Sequence, residues 1–90
     1  MALFVVAYDL KNADTEDYKA LKDALDRMDS VHTQESVWYV DRASSSKGLY
    51  DLLKPHMSEG DKLMVVEFSK KPTWNVGLKG TKDWIDRKFP

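Results

Sequence analysis

Leu3-Phe4-Val5-Val6-Ala7-Tyr8-Asp9 is an unbroken apolar and β-branched run that stops on a carboxylate. A strand with one wet face alternates apolar and polar residues. This run does not alternate, so it predicts a strand covered on both faces or central in a sheet. Asp9 stands where that strand leaves the core, with its backbone anchored by buried neighbours and its side chain free to reach outward. A rigid element that mounts one charged group in this way is a common basis for a site. Asp is equally a frequent turn residue, and Asn12 and Asp14 follow closely, so the same position also reads as an ordinary turn.

Working outward, Asn12-Ala13-Asp14-Thr15 offers helix caps, and Tyr18, Leu21, Leu25 and Met28 then recur at spacings of three and four. They form one apolar stripe, with Ala20 and Ala24 beside it and the Asp and Lys residues on the wet face. Asp29-Ser30 reads as the helix end. The segment from Val31 to Asp41 is β-branched and aromatic, interrupted by Gln34-Glu35-Ser36, which predicts two short strands joined through a bulge or tight hairpin. Ala43-Ser44-Ser45-Ser46 supplies caps for a second helix, in which Leu49, Tyr50, Leu52, Leu53 and Met57 form the apolar side and Pro55 limits the length. Ser58-Glu59-Gly60-Asp61 is a turn leading into Lys62-Leu63-Met64-Val65-Val66-Glu67-Phe68, a strand expected to have a buried centre and closed by Lys71-Pro72. Gly80-Thr81 then breaks and caps a short helix from Lys82 to Lys88. Trp74 and Trp84 carry too much apolar area to stand in water, so this tail should pack on the domain or on a second subunit. The simplest assembly is one α+β domain over residues 1–90, a ferredoxin-like βαββαβ sandwich with two helices on one face of the sheet. Residues 72–90 form its C-terminal helical tail.

Composition narrows the function. Ninety residues make one domain that buries roughly 60–65% of its unfolded surface, with little stability to spare, so oligomerisation would help it. The absence of cysteine excludes disulfides and thiolate metal sites. The apolar run near the N-terminus has no basic region before it and is too short for a signal peptide or a membrane span, which leads to a cytoplasmic expectation. The net charge of -1 hides an asymmetry: Asp9 to Asp41 holds nine acids against four bases, and Lys70 to Lys88 holds six bases against two acids. Lys70, Lys71, Trp74, Lys79, Lys82 and Trp84 make a basic, aromatic end that can track phosphate and stack a base, or pair with the acidic face of another copy. His32 has no second histidine at metal-ligand spacing and reads as a strand-surface or interface residue. His56, beside Pro55, reads as a C-terminal helix residue. Ser44-Ser45-Ser46 lacks a partnered base or nucleophile elbow, and no glycine-rich phosphate loop occurs, so any enzymatic reading rests on Asp9.

Three segments carry a resemblance. Ala7-Tyr8-Asp9-Leu10, Thr33-Gln34-Glu35-Ser36-Val37-Trp38 and Asp61-Lys62-Leu63-Met64-Val65-Val66 resemble, in order and spacing, the smaller of the two core CRISPR adaptation proteins, the Cas-two family. They also resemble the virulence-associated protein D toxins, which have a Phe/Tyr-Asp-Leu strand end and an Arg-Thr-Gln-Gly-Ser-Leu-Tyr segment. The likeness runs in outline from Leu3 to Phe68. It implies a ferredoxin-like subunit that forms a homodimer and, in competent members, cleaves RNA or DNA phosphodiesters with Mg²⁺ (or Mn²⁺). The family's strand-end aspartate falls on Asp9, its Gln-x-Ser motif on Gln34 and Ser36, and its following aromatic on Trp38. Where the adaptation proteins carry an arginine-rich segment after the aspartate, this chain has Lys11-Asn12-Ala13-Asp14-Thr15-Glu16-Asp17. Two Asp9 carboxylates meeting across a two-fold axis at about 4 Å would repel by about 4 kcal/mol at an effective dielectric near 20. A shared hard cation, which prefers oxygen ligands and keeps several waters, relieves that repulsion. Gln34 and Ser36 would then donate to phosphate oxygens, and Trp38 would stack a base or fill the core. The competing expectation is a non-catalytic protein-interaction module on the same dimeric scaffold, associated with a nucleic-acid-processing or CRISPR complex.

Overall fold

A computed structural model describes residues 2–11 and 16–90. The apolar run becomes β1 (Ala2–Asp9), which lies inside the sheet between two antiparallel neighbours. Those neighbours are β3 (Val37–Arg42) and β4 (Lys62–Phe68), and β2 (Asp29–Gln34) pairs with the far side of β3. The strand order is therefore β2-β3-β1-β4, antiparallel throughout. Helices α1 (Glu16–Asp26), α2 (Ser46–Leu53) and α3 (Thr81–Lys88) complete a small α+β architecture compatible with a ferredoxin-like arrangement.

The lack of alternation in β1 has a direct cause: both of its faces are covered. Phe4, Val6 and Tyr8 point into a core shared with Leu21 and Leu25 of α1, Trp38 and Val40 of β3, and Leu49 and Leu53 of α2. Leu3 and Val5 point the other way, toward a second cluster built by Val31, Tyr39, Trp84 and Ile85. Each fully buried Leu or Phe of this kind contributes about 1.5–3 kcal/mol, so two faces give a 90-residue chain a core that one face would not. The C-terminal tail thus packs on its own sheet, with Trp84 and Ile85 buried and Trp74 half-buried against them.

Local chemistry explains the boundaries. The caps expected at Asn12-Ala13-Asp14-Thr15 lie outside the described residues. Asp29-Ser30 does not end α1 as expected: both residues belong to β2, from which the Ser30 hydroxyl donates at 2.6 Å to the Leu25 carbonyl, which also accepts the Met28 amide at 3.0 Å. Gln34-Glu35-Ser36 forms the hairpin end, and the register slips between His32 and Gln34, so the segment carries both a tight turn and a bulge. Ser45 caps α2, its Oγ accepting from the Gly48 amide at 3.0 Å. Pro55 sits in a 3-10 turn, Lys54–His56, that ends the helical segment, and Leu52 faces solvent rather than the core. Asp61 closes the next turn by accepting from the Ser58 amide (2.9 Å) and the Lys11 amide (2.8 Å), and these bonds hold its carboxyl below the ordinary range.

β4 departs most from expectation. It has no buried centre: it is an edge strand, with Met64 56% and Val66 46% exposed. The reason lies in the reach of α3, whose buried side chains cluster with Val31 and Tyr39 on the β2–β3 side of the sheet. At the opposite margin, the chain returning to α3 lies against β2, where the Leu78 amide donates to the Thr33 carbonyl at 2.8 Å and the Thr81 and Thr33 hydroxyls are hydrogen-bonded at 3.2 Å, the Thr81 proton going to the Leu78 carbonyl at 2.7 Å. Polar bonds also fasten α3. Trp84 Nε1 donates to Asp29 Oδ1 at 3.0 Å, and Lys88 Nζ bridges Asp29 and Asp41, which pair with each other across the β2–β3 ladder.

Candidate functional site

Asp9 is the last residue of β1 and is exposed. It borders two concavities. One, of about 330 Å³, is lined by Tyr8, Asp9, Leu10, Tyr18, Glu35 and Ser36. The other, of about 250 Å³, lies toward β4 and is lined by Ala7, Tyr8, Asp9, Lys62, Leu63 and Met64.

Tyr8 ties the site together. Its amide donates to the Ser36 carbonyl at 3.1 Å, and its phenol donates to the Glu35 carbonyl at 3.3 Å. The same phenol accepts from Trp38 Nε1 at 3.2 Å. Two successive carbonyls of the β2–β3 turn are therefore held by the residue directly before Asp9. Burial pushes the Tyr8 phenol well above its ordinary value, and the nearby Tyr18 and Glu35 add to the shift against the lowering effect of the Trp38 N–H. On the outer side, His32 lies flat on Trp38, with ring centroids 4.5 Å apart and planes 5° apart, and its Nε2 is 2.9 Å from the Glu35 carbonyl.

Of the residues expected to act together, Asp9 and Ser36 line the same cleft, while Gln34 is exposed at the end of β2 and is not among the cleft's lining residues. Trp38 is 2% exposed, with its indole N–H committed to Tyr8, so it fills the core and leaves no ring face for a base. Trp84 is buried as well and donates to Asp29. A stacking role for these two tryptophans is therefore corrected: the apolar area that made them candidates is what the sheet uses. Trp74 is half-buried in the cluster beneath α3. Lys70, Lys71 and Lys79 are exposed, but Lys82 pairs with Asp86 at 2.6 Å and Lys88 with Asp29 and Asp41. The positive tail is accordingly less available than its composition suggests.

Sequence reasoning treated Glu35 only as part of a strand break, yet it places a second carboxylate residue in the Asp9 cleft. The available signal was the antiparallel pairing itself: once β1 and β3 run side by side, the hairpin end of β3 must meet the end of β1. Asp9, Glu35 and Ser36 are all oxygen donors, a set suited to a hard divalent cation. Among the described residues no group of three or more Asp, Glu, His or Cys side chains is placed to hold a metal ion. Also among the described residues, no helix is long and apolar enough to cross a membrane. No family model and no solved structure matches this chain.

Proposed function

We propose that this protein is a metal-dependent endonuclease, cleaving RNA or DNA phosphodiesters as a homodimer on a ferredoxin-like βαββαβ scaffold. The observation that carries the reading is the meeting of Asp9 and Ser36 in one cleft at the rigid end of the central strand. These are two of the three residues that the resemblance to the Cas-two and virulence-associated protein D families assigns to cleavage. A divalent cation such as Mg²⁺ or Mn²⁺, when bound, would polarise a phosphoryl oxygen and acidify an attacking water. Asp9 holds that charge, with Glu35 or the Asp9 of a second copy as the other carboxylate. Ser36 donates its hydroxyl to a phosphate oxygen, and Gln34, at the neighbouring turn, contacts the substrate strand.

The homodimer has its own support. Val5 pairs with Val66, Ala7 with Met64 and Asp9 with Lys62, so these residues line up on one face of the sheet. Met64 and Val66 are exposed there. A second copy covering this apolar strip would bring both Asp9 residues to the interface margin. Asp9→Ala tests the reading. Purified protein with Mg²⁺ or Mn²⁺ and labelled RNA or DNA should cut, and the variant should not; equal cleavage by both removes Asp9 from the mechanism.

One observation favours a second reading, a non-catalytic protein-interaction module that works beside nucleic-acid-processing machinery. The cleft holds two acids, and two of the six bases between Lys70 and Lys88 are paired internally. This reading expects neither cleavage nor cation-dependent stabilisation. A rise in melting temperature with Mg²⁺ that Asp9→Ala abolishes would exclude it.

A further inference from the structure

We propose that His32 is a positioning residue for the candidate site, holding the Glu35-Ser36 turn against Asp9 through its Nε2–H. The partner of Nε2 is a backbone carbonyl, which can only accept, so the proton of the neutral ring must sit on Nε2. The ring cannot swing away easily, because it is stacked 4.5 Å from the buried indole of Trp38 with the planes almost parallel. The Glu35 carbonyl thus receives two donors, His32 at 2.9 Å and the Tyr8 phenol at 3.3 Å. The histidine contact is the shorter, and it comes from the outer strand β2, whereas Tyr8 holds the turn from β1. Together they clamp the turn from both sides at the position where the β2–β3 register slips and ladder bonding is irregular. Without the Nε2–H, the turn is held from the β1 side alone, and the Glu35 and Ser36 side chains lose their fixed distance from Asp9.

The kinetic part of this inference rests on the cleavage reading; the structural part does not. Two variants separate the ring from its proton. His32→Phe keeps a flat ring on Trp38 and removes the donor, whereas His32→Gln keeps an N–H of similar reach and removes the stack. Backbone hydrogen exchange at Glu35, Ser36 and Val37 should quicken about five- to tenfold in His32→Phe and return close to wild type in His32→Gln, the worth of one hydrogen bond. Cleavage in Mg²⁺ should fall by a similar factor in His32→Phe and recover in His32→Gln. Unchanged exchange in His32→Phe, or equal loosening in both variants, overturns the proposal. A wild-type protein that cleaves nothing removes the nuclease reading, and the exchange measurement still decides the role of His32.

Discussion

Lys88→Met should destabilise the domain far more than the loss of an ordinary surface lysine. The Lys88 side chain is 16% exposed and donates to Asp41 at 2.7 Å and to Asp29, whose side chains are 10% and 42% exposed. Methionine keeps most of the apolar stem, so the change removes mainly the charge, together with the contact of Lys88 Nζ over the Trp84 ring at 5.5 Å from its centroid. Asp41 is then left as a buried carboxylate without its cation, and its second oxygen is already buried without a hydrogen-bond partner. Stranding one member of a buried pair costs about 3–5 kcal/mol. The half-exposed Asp29 contributes little beyond that, because solvent screens it. Allowing for relaxation at the helix end, we expect a loss of about 2–4 kcal/mol, which in a domain of this size lowers the melting temperature by roughly 10–25 °C.

The pH dependence has a definite sign. The Lys88 hydrogen bond holds the Asp29 carboxyl below its ordinary value, against the opposing effect of burial, with the Trp84 N–H assisting. A carboxylate depressed in the folded state adds stability above its unfolded value, and that stability disappears as pH falls through the folded value. Burial alone would lower the Lys88 ammonium, but its bonds to Asp29 and Asp41 raise it overall, so its contribution persists through neutral pH and is lost only as the alkaline limit is passed. The gap between wild type and Lys88→Met should therefore be full at pH 7 and begin to narrow only below about pH 4, as the depressed Asp29 carboxylate takes up its proton. Urea denaturation at the two pH values measures it. A gap under about 0.5 kcal/mol at pH 7, or one that does not narrow in acid, refutes the reasoning.

Three further outcomes are expected. Tyr8→Phe leaves the buried Trp38 N–H without its acceptor and the Glu35 carbonyl with one donor fewer, costing about 1–3 kcal/mol by thermal denaturation. Ser45→Ala removes the bond to the Gly48 amide at the start of α2 and should cost about 0.5–2 kcal/mol, with no effect on cleavage or association. Met64→Glu with Val66→Glu places charge on the exposed strip of β4. Sedimentation should show the double variant as a folded monomer at concentrations where the wild type is dimeric.

Much of this architecture could be read from the residues alone, and the exceptions share a cause. The strand ending at Asp9, the hairpin around Gln34-Glu35-Ser36, the Ser45 cap and the short helix after Gly80-Thr81 are local signals, set by periodicity and turn chemistry within a few residues. What was not legible depends on which element covers which. Lys62 to Phe68 reads as a strand with a buried centre because Leu63 to Val66 are apolar, and only the placement of α3 over the other half of the sheet leaves Met64 and Val66 in water. Trp84 invites a stacking role until Asp29, fifty-five residues away, is seen accepting its N–H. Glu35 joins Asp9 through β1–β3 pairing, a long-range contact with no motif of its own.

The fastening of the returning chain at Thr33 has a consequence for how far copies can be joined. A sheet recruits neighbours through its outermost strands, and a molecule with both flanks available can chain into an endless ribbon. Here the flank at β2 is engaged at Thr33 by the molecule's own backbone, which leaves β4 as the more open of the two outer strands. A tail docked on one outer strand works against chaining of sheets through that strand.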